Sequence, residues 1–177
     1  MLSMPRYKSL KYSMFSRYQK TKIAMTIQNR FALNLILDSQ NRLLLLLRNG
    51  QTSLGPNKWG LPAGKIEDKE SPAQAARRER IEEIGQDHEV QLIRYFGPVM
   101  DSFYGGKYEV HLFQFAWESG QITLNSEHKD SAWVAKEEIA NMDVMLGIEE
   151  NIAMLEIWPS HFLNANRLPK PKGDPLK

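Results

Sequence analysis

The chain has 177 residues, 42% of them hydrophobic and 25% charged, a mixture that suits one globular domain with a sizeable core. Its 23 Lys and Arg against 21 Asp and Glu leave a net charge of +2, so bulk electrostatics gives no argument for a nucleic-acid or membrane partner. The absence of cysteine excludes disulfides, thiolate metal sites and thiol nucleophiles. Any metal is therefore expected to be a hard cation, held by carboxylates or by the four His.

Residues 1–24 carry six basic side chains (Arg6, Lys8, Lys11, Arg17, Lys20 and Lys22) and no acid, and are read as a basic N-terminal extension. The same composition would also pass for an organelle-targeting peptide. There is no apolar core of signal-peptide length and no run near the ~20 residues of a membrane span, so a soluble, cytoplasmic protein is expected. The single domain is assigned to residues 25–160, and 161–177 form a basic, Pro-rich tail ending in PKPKGDPLK. With +6 at one end, +3 from residue 167 onward and +2 overall, the middle of the chain holds −7. Carboxylates gathered around a cation would produce that balance, and so would a solvated acidic face.

In chain order, FALNLIL (31–37) and RLLLLLR (42–48) are apolar runs of strand length separated by Asp38 to Asn41, which predicts a β-hairpin. Residues 49–69 are rich in Gly, Pro, Asn and Lys and are read as a loop, pinned to the core by Trp59 and Leu61. A helix follows. Ser71 and Gln74 form a capping box, Pro72 suits the first helical position and Gly85 the stop. Strands return over 88–117, broken by a turn at Tyr104, Gly105 and Gly106, with short strands at 122–124 and 132–134. Helices are predicted over 137–142 and 147–158, the second burying Ile148, Ile152 and Leu155. This order calls for an α/β fold with a mixed sheet covered by helices.

Glu79, Glu82 and Glu83 stand at i, i+3 and i+4 in the first helix, within roughly a 100° sector. Like charges at these spacings destabilise an isolated helix. The cluster becomes favourable chiefly when divalent cations sit among the carboxylates, and oxygen ligands suit Mg²⁺ or Mn²⁺. A Glu-rich surface neutralised by Arg77, Arg78 and Arg80 is the plainer alternative. Upstream, Gly60, Ala63 and Gly64 allow close backbone approach, and Arg78 can reach Glu82 or Glu70.

Gly64, Glu70, Arg78, Glu79, Glu82, Glu83 and Gly85 match the pattern G-x5-E-x7-R-E-U-x-E-E-x-G-U, where U is bulky and apolar. On these residues the chain resembles the Nudix hydrolases. The match covers Gly64 to Gln86, and the order of elements extends the likeness loosely over 26–158. Arg80 and Gln86 depart from it by standing where the family has apolar residues. Arg80 is expected to snorkel or to meet an acid, leaving Ile81 and Ile84 to anchor the helix.

The resemblance implies an αβα sandwich enzyme that hydrolyses the diphosphate linkage of a nucleoside diphosphate-X or nucleoside triphosphate by water attack at phosphorus, with Mg²⁺ or alternatively Mn²⁺. It further implies Glu79, Glu82 and Glu83 as metal ligands, the Ala63 carbonyl as a further one, and Glu70 with Arg78 as the groups that orient them. The general base stays open. Glu127 in NSEHKDSAWV resembles the later-loop acid of many family members, although it reads equally as an exposed loop acid, and Glu82 or Glu83 could serve instead.

Arg48 and Lys58 are candidate phosphate contacts, and Tyr104 a candidate base-stacking residue. The four His show no paired ligand spacing and are read as ordinary core or surface residues. The rival readings are a narrow-specificity hydrolase of dinucleoside polyphosphates, ADP-ribose or nucleotide sugars, and a catalytically silent ligand-sensing domain. Silent relatives typically lose box carboxylates, and here all three remain. Neither a specific nucleic-acid partner nor a membrane is expected, and a homodimer is left open.

Overall fold

The computed structural model describes residues 27–170, so the basic extension assigned to 1–24 and the last seven residues of the tail lie outside the described residues. Strands β1 (Asn29–Leu37) and β2 (Leu43–Arg48) pair antiparallel with Leu37 opposite Leu43, as the hairpin reading requires. The segment read as loop contributes two short strands, β3 (Trp59–Gly60) beside β2 and β4 (Ala63–Lys65) beside β1. Strands β5 (His88–Met100) and β6 (Tyr108–Gly120) form a long antiparallel pair, and β6 runs parallel to β1. Strand β7 (His128–Val134) closes against β2. The sheet is mixed, in the order β3-β2-β1-β6-β5.

The period of two along β1 and β2 explains why four successive leucines, Leu43 to Leu46, are all buried. Leu44 and Leu46 face one core with Ala32, Ile36, Phe113 and Phe115, while Leu43 and Leu45 face a second core with Leu35, Leu37 and Leu112. Helix α1 (Pro72–Ile84) covers the first face through Ala75, Ala76 and Ile84. Helix α2 (Ile148–Met154) covers the second through Ile148 and Ile152, joined by Leu155, Trp158 and Leu163. The result is an α/β sandwich with a helix on either side of the sheet.

Several elements differ from the sequence reading. Residues 122–124 form no strand, although Ile122 and Leu124 still pack on the first core. The helix predicted over 137–142 is a single 3-10 turn, Ile139–Asn141, and α2 ends at Met154 rather than near 158. A boundary at 160 also falls inside the packed region. Leu163 is buried, and Arg167 binds the carbonyls of Ile139, Ala140 and Met142 and pairs with buried Glu149 at 2.7 Å. That buried pair was invisible in a periodicity argument, which places acids outside.

Arg80 is half-buried and meets no acid. Its guanidinium lies 4.6 Å over the Phe115 ring and its Nε stands 3.0 Å from His88 Nε2. Burial and the neighbouring Arg77 both disfavour its charge, and one guanidinium nitrogen is buried without a partner. A cation–π contact contributes about 1 kcal/mol, less than the cost of desolvating an unpaired cation. Arg80→Leu is therefore expected to raise stability by about 1 kcal/mol, read as a higher melting temperature, with turnover unchanged. A lower melting temperature would mean that the aromatic and histidine contacts outweigh desolvation.

Candidate active site

Helix α1 begins where the sequence placed it. Ser71 accepts from Gln74 N at 3.3 Å, Gln74 returns the bond to Ser71 N at 2.9 Å, and Gly85, at φ 82°, stops the helix. Glu79 stands at i+4 from Ala75 and Glu83 at i+7 from Ala76, so both carboxylates share the side of the helix that buries these alanines and are directed towards the β4 end of the sheet. Gly64 of β4 lies directly against Glu79. A Cβ on Gly64 would stand 1.9 Å from the Glu79 carboxyl carbon, so only glycine leaves room for that carboxylate.

Arg78 organises the exposed side of the box. Its Nε and one terminal nitrogen clamp the two Glu70 oxygens at 2.9 and 3.0 Å, and that nitrogen also reaches the Lys65 carbonyl. The other terminal nitrogen donates to Glu79 at 2.6 Å and Glu82 at 3.2 Å. The guanidinium hydrogen bonds hold Glu70 below the usual carboxylate range. Glu83 is the buried member: its Oε2 accepts from Ala63 N at 2.8 Å and its Oε1 lies 3.6 Å from His128 Nε2. The structure thus engages the N–H of Ala63 with the box.

Burial pushes Glu83 up to about 8, against the Ala63 hydrogen bond and with help from the charges of Glu79 and Glu127. Glu79 is raised by burial and by Glu82 and Glu127, in spite of Arg78. Glu127 therefore faces the box from the opposite loop, although its side chain is solvent-exposed. It shares an open cleft of about 330 Å³ with Arg48, Asn49, Gln51, Thr52, Ser53 and Ser126. Arg48 projects its charge onto Glu83 and His128 while bonding the Leu54 carbonyl at 2.8 Å.

Two predicted contacts lie elsewhere. Lys58 pairs with exposed Asp143, and Tyr104 packs against Tyr108 in the β5–β6 turn with its hydroxyl near the Leu146 carbonyl. Neither lines the cleft. A second depression of about 370 Å³, lined by Arg77, Arg80, Ile81, Gln86, Asp87 and His88, sits on the side of α1 turned away from the carboxylates.

The donor set fits a divalent cation. It offers three carboxylates from one helix face, one of them buried and two raised by burial and by neighbouring acids, with hard oxygen atoms throughout. Among the described residues no three acidic or imidazole groups are already gathered around one point, because Arg78 stands between Glu79 and Glu82. A cation has to compete with that guanidinium nitrogen.

A NUDIX domain model matches residues 28–153. The chain belongs to the Nudix family. Among curated proteins, it is similar to the nucleoside triphosphatase NudI of Escherichia fergusonii, 28% identical over 108 residues that make up 56% of this chain and 77% of the relative. The NudI of Enterobacter sp. is 25% identical over 62% of this chain and 84% of its own. Among solved structures, the MutT protein of Methanosarcina mazei matches with a TM-score of 0.59 at 24% identity, covering 72% of this chain and 92% of that one. An ADP-ribose pyrophosphatase of Streptococcus suis matches with a TM-score of 0.56 at 19% identity, covering 71% and 87%. At these identities the structural likeness speaks for the fold.

A Nudix hydrolase opens pyrophosphate bonds in nucleotide derivatives, generally with a divalent metal, and this chain is an enzyme of that kind. No described helix is long and apolar enough to cross a membrane.

The Nudix box was legible in the sequence; His128 was not. It lies beside Glu127, 7% exposed, against Glu83. Its neighbour in NSEHKDSAWV was the available signal, but nothing in the spacing says that the ring turns inward. Burial and the Arg48 charge lower it to about 4.

The two buried groups set a pH dependence. A carboxyl raised to about 8 from 4.5 favours folding while protonated, and this is lost as pH rises through 8. His128, lowered from 6.5 to about 4, acts oppositely and only below 6.5. Metal-free protein is thus expected to lose about 2 kcal/mol of stability between pH 6.5 and 8, read by urea unfolding in EDTA. Saturating Mg²⁺ should flatten the slope. A flat profile in EDTA would mean that Glu83 is ionised without a cation.

Proposed function

We propose that this Nudix enzyme is a Mg²⁺-dependent pyrophosphohydrolase whose substrate is a nucleoside triphosphate or a closely related nucleoside diphosphate-X. The single observation that carries it is the complete set Glu79, Glu82 and Glu83, buttressed by Arg78 and the Ala63 N–H, with the charges of Arg48 and Glu127 acting on Glu83. The curated relatives called nucleoside triphosphatases support the substrate class. Mn²⁺ would be tolerated by the same oxygen set.

In this reading Glu79, Glu82 and Glu83 would hold the cation, with the Ala63 carbonyl as a further oxygen. Held there, it would supply charge neutralisation for the diphosphate and a lowered pKa for the attacking water. Glu70 keeps Arg78 in place, and Arg78 in turn fixes the rotamers of Glu79 and Glu82. Glu127, exposed in the cleft, accepts the proton of the attacking water. Arg48 faces the phosphates and balances the charge that develops on them. Lys58 and Tyr104 are not assigned a substrate contact.

The test is a mass-spectrometric screen of nucleoside triphosphates, dinucleoside polyphosphates, ADP-ribose and nucleotide sugars with Mg²⁺. A nucleoside monophosphate with pyrophosphate from the triphosphates is the expected result. Turnover confined to ADP-ribose or sugars would replace the substrate class. No turnover on any of them would favour a ligand-sensing domain.

A further inference from the structure

His128 opens β7 directly after Glu127, and its side chain is 1% exposed. Asn125 fixes its tautomer. Asn125 Oδ1 accepts from Glu127 N at 3.1 Å, so that atom is the amide oxygen and not the nitrogen. The same oxygen lies 3.0 Å from His128 Nδ1, which must therefore carry the proton and donate it. Nε2 is left with a bare lone pair, buried and without a hydrogen-bond partner, aimed at Glu83 Oε1 across 3.6 Å.

That separation is too long for a hydrogen bond. A buried acceptor without a donor is uncommon and calls for a reason. A lone pair facing a carboxylate oxygen is repulsive unless a proton or a cation lies between them. Yet two donor atoms this far apart can each lie about 2.1 Å from one shared ion. The other half of the ring supports the same reading, because ligating imidazoles present one nitrogen to the metal while the second N–H is tied to a fixed oxygen acceptor. Asn125 is that acceptor, itself held by the Glu127 backbone.

We propose that His128 Nε2 is a nitrogen ligand of the divalent cation bound by Glu83, giving this Nudix site a mixed oxygen and nitrogen donor set. The inference rests on the metal reading of the box. Its consequence is metal choice: imidazole suits Mn²⁺, Co²⁺ and Ni²⁺ better than Mg²⁺, so the site should be biased towards them relative to a site of oxygen ligands alone.

The experiment titrates Mn²⁺ into the full chain without substrate and records electron spin echo modulation from nearby nitrogen. Expected is the coupling of a directly bound imidazole nitrogen, lost in His128→Gln. In that variant Mn²⁺ affinity should fall on the order of 10- to 100-fold and Mg²⁺ affinity less. The wild-type spectrum needs no variant to fold. Bound Mn²⁺, seen in water proton relaxation, without nitrogen coupling overturns the His128 assignment and leaves the carboxylate site standing. Absence of any bound Mn²⁺ overturns both.

Discussion

Glu83→Gln is expected to lower kcat on the order of 10³-fold with Mg²⁺ and nucleotide, about 4 kcal/mol of barrier, while leaving the protein folded and, at pH 8 without metal, more stable than the wild type. The two halves of this result have one cause. Glu83 is 3% exposed, and burial holds its carboxyl at about 8, so ionising it opposes folding unless a cation is present. Glutamine keeps an oxygen for the Ala63 N–H and can turn its amide group towards His128 Nε2. It cannot supply the anionic oxygen. Steady-state kinetics and a metal-free melting curve check both. Activity within about threefold of the wild type would remove Glu83 from the chemistry, and a lower melting temperature would mean that its role is structural.

Gly64→Ala is expected to cost on the order of 10² in kcat without unfolding the protein. The backbone of Gly64 pairs with Ala32 in the sheet and needs no conformation special to glycine. What it needs is space: an added methyl would lie 1.9 Å from the Glu79 carboxyl carbon and 1.9 Å from one of its oxygens. The carboxylate must leave, and with it one of the two anchors of the second Arg78 terminal nitrogen. A double-mutant cycle isolates this route, since Gly64→Ala added to Glu79→Ala should bring little further loss. If the two losses multiply instead, Gly64 acts through something other than Glu79.

Both predictions concern side chains that the sequence placed in one pattern, and the two residues differ in how much of their setting could be read there. Gly64 was noted as permitting close approach, but which atom approaches was hidden. The capping box at Ser71 and Gln74, the stop at Gly85 and the glutamates on one face follow from spacing along a single helix, and the structure repeats them. Such features are local, fixed by the 3.6-residue period and by the backbone groups left free at a helix end. The short β3 and β4 were missed for the opposite reason. Their residues carry no alternation of their own, and they are strands because β1 and β2 lie beside them.

What the sequence alone determined is the helix with its carboxylate face, the two leucine-rich strands and the absence of thiol and disulfide chemistry. Tertiary structure decided which neighbours those elements acquire. It set Arg80 on Phe115 where an acid was expected, buried the Glu149–Arg167 pair, sent Lys58 to Asp143, and turned His128 inward against Glu83. Helical periodicity is a property of one segment. The partners of a buried polar group come from strands far apart in the chain, and only sheet register and loop closure bring them together.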